Sequence, residues 1–200
     1  MKKAILYIHG KNGSWLEAEQ YRKNCPGFDV IGVDYPDGFP WAVQAQIRAA
    51  YDQARSAYDH ISVIANSIGA YFAMYTLQTC EIEQALFISP VLDMERLILD
   101  MMRWANVSEK ALRERGDIPT EFGETLSWEY LCFVREHPLT WTVPTEVLYA
   151  GNDHLTSRQT VDRFIDSHRA SLTVMENGEH WFHTEEQLAF LDHWMKQAIG

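Results

Sequence analysis

Six short segments, residues 3–9, 28–34, 61–66, 84–89, 145–150 and 172–175, are largely apolar and rich in β-branched or aromatic residues. Runs without polar alternation have both faces buried, the condition of strands inside a parallel sheet. Between them the apolar residues recur at helical spacing instead: Val43, Ile47, Ala50, Tyr51, Ala54 and Tyr58 form one stripe, and Ile68, Tyr71, Phe72 and Tyr75 another. Strand alternating with helix predicts an α/β chain, a three-layer α/β/α sandwich around a mostly parallel six-stranded sheet.

Start signals agree with this pattern. Ser14-x-x-Glu17, Thr156-x-x-Gln159 and Thr184-x-x-Gln187 fit the capping box, in which a hydroxyl and a carboxylate or amide satisfy the free N–H groups of a first turn, and Pro40 suits a first helical position. The last two helices carry apolar stripes of their own, Val161, Phe164 and Ile165, then Leu188, Leu191, Met195 and Ala198.

One interval breaks the alternation. About fifty residues separate the fourth strand from the fifth, far beyond the usual connection of roughly 2–6. Residues 92–142 therefore read as a helical cap inserted into a single domain of residues 1–200. Met94, Leu97, Ile98, Met101, Trp104 and Ala105 share one helical face, residues 108–115 follow, and Leu126, Tyr130, Phe133 and Val134 form a last helix before Pro138. An insertion there emerges where ligands bind in α/β sheets, so its Met and Trp residues are expected to supply an adaptable apolar wall for an acyl or alkyl group.

The candidate chemistry begins at residues 61–75, ISVIANSIGAYFAMY, where an apolar strand passes into a helix through Ser67 alone. So sharp a turn strains the backbone and needs small neighbours, here Ala65 and Gly69, and it pushes the hydroxyl out of the fold. The helix that starts there points its free N–H groups at the same spot. His9-Gly10-Lys11-Asn12-Gly13 follows the first strand at the same edge, so the backbone N–H groups of Lys11 and Ile68 are candidate donors to an oxyanion. Asp153 follows the fifth strand and His180 the sixth. Taken singly, Asp153 reads equally as a turn residue and His180 as a loop histidine; together with Ser67 they supply the nucleophile, base and orienting acid of acyl transfer.

Composition narrows the partners. A chain of 200 residues, 46% hydrophobic and 22% charged, buries about 70% of its unfolded surface without needing a disulfide or metal. No apolar run approaches the roughly 18 residues of a membrane span, and the apolar start of the chain is too short for a signal peptide, so it reads as a core strand. Cys25, Cys80 and Cys132 are an odd number without metal-type spacing, which suits a reducing cytoplasm. A net charge of −11 argues against nucleic acid and anionic membranes, and the insertion, with ten acidic residues against six basic, points to neutral small-molecule substrates. Oligomeric state leaves no mark in the sequence.

Through HGKNG, ANSIG, GND and GEH at successive strand ends, the chain resembles the α/β-hydrolase superfamily, most of all its small bacterial members that start directly at the oxyanion-hole strand. The resemblance covers residues 3–90 and 143–199. It implies a serine hydrolase without a cofactor: Ser67 the nucleophile, Asp153 the acid, His180 the base, Lys11 and Ile68 the oxyanion donors. A departure follows the second strand, where residues 34–40 replace the commoner glycine-and-serine run. His183 and His154 are the rival histidines. His180-x-x-His183 beside Glu179 could begin a zinc site, but further ligands at compatible positions are lacking. The expected activity is cleavage of a small carboxylic ester; a thioester or amide, or a non-catalytic binding protein on the same fold, are the alternatives.

Overall fold

The computed structural model describes residues 1–199. The chain forms β1 (Lys3–Ile8), a 3-10 turn (Trp15–Glu17), α1 (Ala18–Arg22), β2 (Asp29–Gly32), α2 (Pro40–Ala57), β3 (His60–Asn66), α3 (Ile68–Leu77) and β4 (Ala85–Ile88). There follow α4 (Met94–Trp104), α5 (Glu109–Arg115), β5 (Asp117–Pro119), β6 (Thr125–Ser127), α6 (Trp128–Glu136), β7 (Thr145–Ala150), α7 (Arg158–Ser167), β8 (Ala170–Met175) and α8 (Glu185–Ala198).

The six predicted strands make one parallel sheet in the order β2-β1-β3-β4-β7-β8. Ile5 and Tyr7 of β1, Ile64 of β3, Leu86 and Ile88 of β4 and Leu148 of β7 gather on one face with Ala18 and Tyr21 of α1 and Leu191, Trp194 and Met195 of α8. Their neighbours along the strands, Leu6, Ile8, Val63, Ala65 and Phe87, point the other way and are just as inaccessible, and α2 and α3 pack against β1 and β3. Burial on both faces explains why the strands carry no polar alternation. A parallel sheet puts the C-terminal ends of all its strands on one edge, which gathers residues 9–13, 67, 151–153 and 176–180 although the chain separates them.

Capping follows the sequence with one shift. Ser14 accepts from Leu16 N at 3.2 Å while Glu17 accepts from Ser14 N at 3.1 Å, and Thr184 accepts from Gln187 N at 3.2 Å. The cap of α7 is Ser157 rather than Thr156; the Thr156 hydroxyl is buried and donates to Pro90 O at 3.0 Å.

The chain divides into two compact units, residues 1–92 with 140–200, and residues 93–139. The second unit contains α4, α5 and α6, and it also contains an element that its helical pattern did not predict, the antiparallel pair β5–β6. Leu126, expected in the last helix, is buried in β6; the turn between the strands is closed by the Thr120 hydroxyl donating to Glu124 O at 2.7 Å, with Gly123 at φ 85°. Arg135 of α6 holds Glu95 of α4 at 2.7 Å and Glu109 of α5 through two nitrogens at 2.8 and 3.0 Å. Trp141 lies outside this unit: it is buried, its ring is tilted by 30° against that of Phe87 with 5.9 Å between centroids, and it donates to Thr145 Oγ1 at 2.8 Å.

Candidate active site

Ser67 is the single residue between β3 and α3, at φ 51° and ψ −123°. A non-glycine residue there costs about 1–3 kcal/mol, so its surroundings must impose it. Ser67 N donates to Ile88 O at 3.0 Å, and Ser67 O accepts from Ala70 N at 3.1 Å and Val91 N at 3.0 Å. Gly69 makes room for the end of β1: a Cβ on it would lie 2.4 Å from His9 O and 2.5 Å from Ile8 O. Gly10 passes on the other side, where a Cβ would sit 3.2 Å from Ser67 Cβ. Lys11 follows Gly10, and Ile68 opens α3, whose first N–H groups have no acceptor inside the helix.

Asp153 and His180 stand on two loops that interlock. Gly151 N donates to Met175 O at 2.8 Å and Asn152 N to Gly178 O at 2.9 Å. Asp153 Oδ1 accepts from Leu155 N at 2.7 Å and Thr156 N at 3.1 Å, which fixes the carboxylate and leaves Oδ2 for His180 Nδ1 at 2.8 Å. The Asp153 side chain has no exposed surface, and that of His180 keeps 23%. His180 Nε2 lies 2.8 Å from Ser67 Oγ. With the carboxylate accepting from Nδ1–H, Nε2 is the free acceptor and the serine O–H donates to it. A proton can therefore leave Oγ for a base whose resulting charge already faces a carboxylate.

The rival histidines point elsewhere. His183 stacks 4.8 Å from the Trp181 ring, with Nδ1 donating to Trp181 O at 2.8 Å, and His154 is exposed. Among the described residues no group of three His, Cys, Asp or Glu side chains could hold a metal ion, and no helix is long and apolar enough to cross a membrane.

The departure at residues 34–40 has a positive role that sequence reasoning missed. The Asp37 carboxylate accepts from Asn12 N at 3.1 and 3.2 Å, where Asn12 sits at φ 58°. Tyr35 stacks on His9 with 4.0 Å between centroids, and its hydroxyl donates to His9 O at 2.5 Å. The loop after β2 thus buttresses the loop after β1 that carries Lys11. An acidic residue spaced to reach a turn asparagine was the available signal. The capping box marked Glu17, but that its second oxygen meets Tyr7, and Tyr7 meets Asn66, beneath the same loop left no local signal.

No protein-family model and no curated protein matches the sequence. Solved structures do. Mouse alpha/beta hydrolase domain-containing protein 10 superposes with a TM-score of 0.79 at 13% identity, over 98% of this chain and 89% of that one. Est1E from Butyrivibrio proteoclasticus with ferulic acid bound gives 0.76 at 15%, over 98% and 87%. One of the two metagenome-derived lipolytic enzymes LipS and LipT gives 0.64 at 13%, over 98% and 94%. The chain has the α/β-hydrolase fold. Within that fold, Ser67, His180 and Asp153 form one hydrogen-bonded line at the C-terminal edge of its sheet.

Proposed function

We propose that the protein is a serine hydrolase that cleaves a small carboxylic ester through an acyl-enzyme. The observation that carries this reading is the unbroken line from Ser67 Oγ through His180 to Asp153, 2.8 Å at each step, with the serine on a strained turn at a helix start. Ser67 Oγ attacks the ester carbonyl as His180 Nε2 takes its proton, and the carbonyl oxygen becomes an oxyanion facing the N–H groups of Lys11 and Ile68. The tetrahedral species expels the alcohol, protonated by His180. A water then gives a proton to His180 and attacks the acyl carbon, and the acid leaves as Ser67 regains its proton. Every step uses side chains and backbone alone, so no cofactor is called for.

Solved structures of lipolytic enzymes on this fold, and the carboxylic acid bound in the Butyrivibrio protein, support the ester class. The net charge of −11 favours neutral substrates, and the free thiols of Cys25, Cys80 and Cys132 suit a cytoplasmic protein. A fluorophosphonate probe followed by peptide mass spectrometry tests the reading: an enzyme labels at Ser67, and a binding protein that merely keeps the fold does not.

A further inference from the structure

Beneath the turn of residues 10–13 lies a group of polar side chains that take no part in these steps. Tyr7 has no exposed surface, yet its hydroxyl donates to Glu17 Oε2 and accepts from Asn66 Nδ2 at 2.9 Å. Asn66 Nδ2 also reaches the buried Tyr21 hydroxyl at 3.1 Å. The second oxygen of Glu17 accepts from Ser14 N at 3.1 Å and lies under Gly13, where a Cβ would approach it to 3.1 Å. Burial, with Tyr21 and the Glu17 carboxylate nearby, pushes the Tyr7 hydroxyl far above its ordinary pKa, so it stays a donor.

The two ends of this chain of bonds matter. Asn66 is the residue before Ser67, and therefore two before Ile68. Gly13 and Ser14 close the turn that carries Lys11, through Gly13 N donating to Gly10 O at 3.1 Å and Ser14 N donating to Glu17. One carboxylate thus joins the segment that presents one candidate oxyanion donor to the segment that presents the other. Burying so many polar groups is costly unless all are paired, and when paired they rigidify what they join.

We infer that Glu17, Tyr7 and Asn66 are positioning residues that set the separation of the Lys11 and Ile68 N–H groups, and through it the strength with which the site holds a tetrahedral oxyanion. This rests on the acyl-transfer reading above. Oxyanion donors act on charge that develops only in the transition state, and displacement by about 1 Å costs on the order of 100-fold in rate. The effect therefore falls on kcat rather than on KM.

Three variants test it. Tyr7→Phe removes the hydroxyl. Glu17→Gln keeps an oxygen for Ser14 N but turns an amide NH2 toward Tyr7. Arg22→Ala, the control, loses only an exposed ion pair with Glu19 on α1. With a p-nitrophenyl ester, Tyr7→Phe and Glu17→Gln should lower kcat by about 10- to 100-fold with KM within about twofold. Their inhibition constants for a trifluoromethyl ketone, whose oxygen becomes an oxyanion when Ser67 adds to its carbon, should rise by the same factor. Arg22→Ala should keep kcat within about twofold of wild type. Wild-type kcat and inhibitor affinity in folded Glu17→Gln, or an equal loss in Arg22→Ala, overturns the inference; Glu17→Gln decides it if Tyr7→Phe does not fold. Wild type that fails to label at Ser67 overturns the acyl-transfer reading and this inference with it, whereas a wild type that labels beside unaffected variants overturns the inference alone.

Discussion

Gly151 and Glu176 meet so closely that a methyl group on the first would lie 2.2 Å from the carbonyl oxygen of the second. This contact locks the loop bearing Asp153 onto the loop bearing His180. Gly151→Ala must push the two apart, which is expected to cost about 1–3 kcal/mol of stability and, by moving Asp153 against His180, on the order of 100-fold in kcat. Urea denaturation and ester turnover of the folded variant measure the two effects. Gly38→Ala is the control, since its added carbon meets Ala42 Cβ at an ordinary 3.6 Å. Equal behaviour of the two variants would mean that the loops are not locked at Gly151.

The Asp37 carboxylate holds Asn12 N in the turn that carries Lys11. The bond is exposed, so its loss should leave stability within about 1 kcal/mol while the turn loosens. Asp37→Ala is expected to lower kcat/KM by about tenfold, with Asp37→Asn recovering part of the loss because the amide oxygen still accepts. Unchanged turnover in Asp37→Ala would assign the contact to folding alone.

Burial pushes the Cys25 thiol up from 9.0 to about 11. The folded chain then keeps its proton to higher pH than the unfolded chain. Stability from this group is complete below about pH 9 and is lost as pH rises toward 11. Cys25→Ala should flatten that part of the stability curve measured by urea unfolding between pH 8 and pH 11. Native protein at pH 8 should also resist iodoacetamide at Cys25, because little thiolate is present and the side chain is buried.

Much of the sheet edge was legible in the sequence for one physical reason: in a parallel α/β sheet, position in the chain predicts position in space. Each strand end lands on the same edge, so Ser67, Asp153 and His180 could be placed near one another without knowledge of any contact. What was not legible depends on contacts between distant side chains. Thr156 loses its capping role to Ser157 because Pro90 O lies within reach of its hydroxyl. Leu126 enters a strand because a two-stranded turn forms around Thr120 and Gly123. Tyr7, fully buried in a central strand, looks like core packing until Glu17 and Asn66 are seen to meet it.

His180 and His183 are three positions apart, and their surroundings predict opposite consequences of losing them. His180 lies 2.8 Å from both Ser67 Oγ and Asp153 Oδ2, whereas His183 stacks on Trp181 and donates to its carbonyl. Ser67→Ala and His180→Ala should each lower kcat by at least about 10,000-fold, and the double variant should be no worse than either, because members of one catalytic unit are not additive. Asp153→Asn keeps the shape but offers Nδ1 an NH2 in place of an acceptor, which favours the wrong tautomer and should cost roughly 10,000-fold in kcat. His183→Ala loses a surface stack and should keep kcat within about threefold. Steady-state turnover of an activated ester, with active-site titration to exclude wild-type contamination, ranks the set. A loss in His183→Ala equal to that in His180→Ala would show that the base is not assigned by the Ser67–His180–Asp153 line.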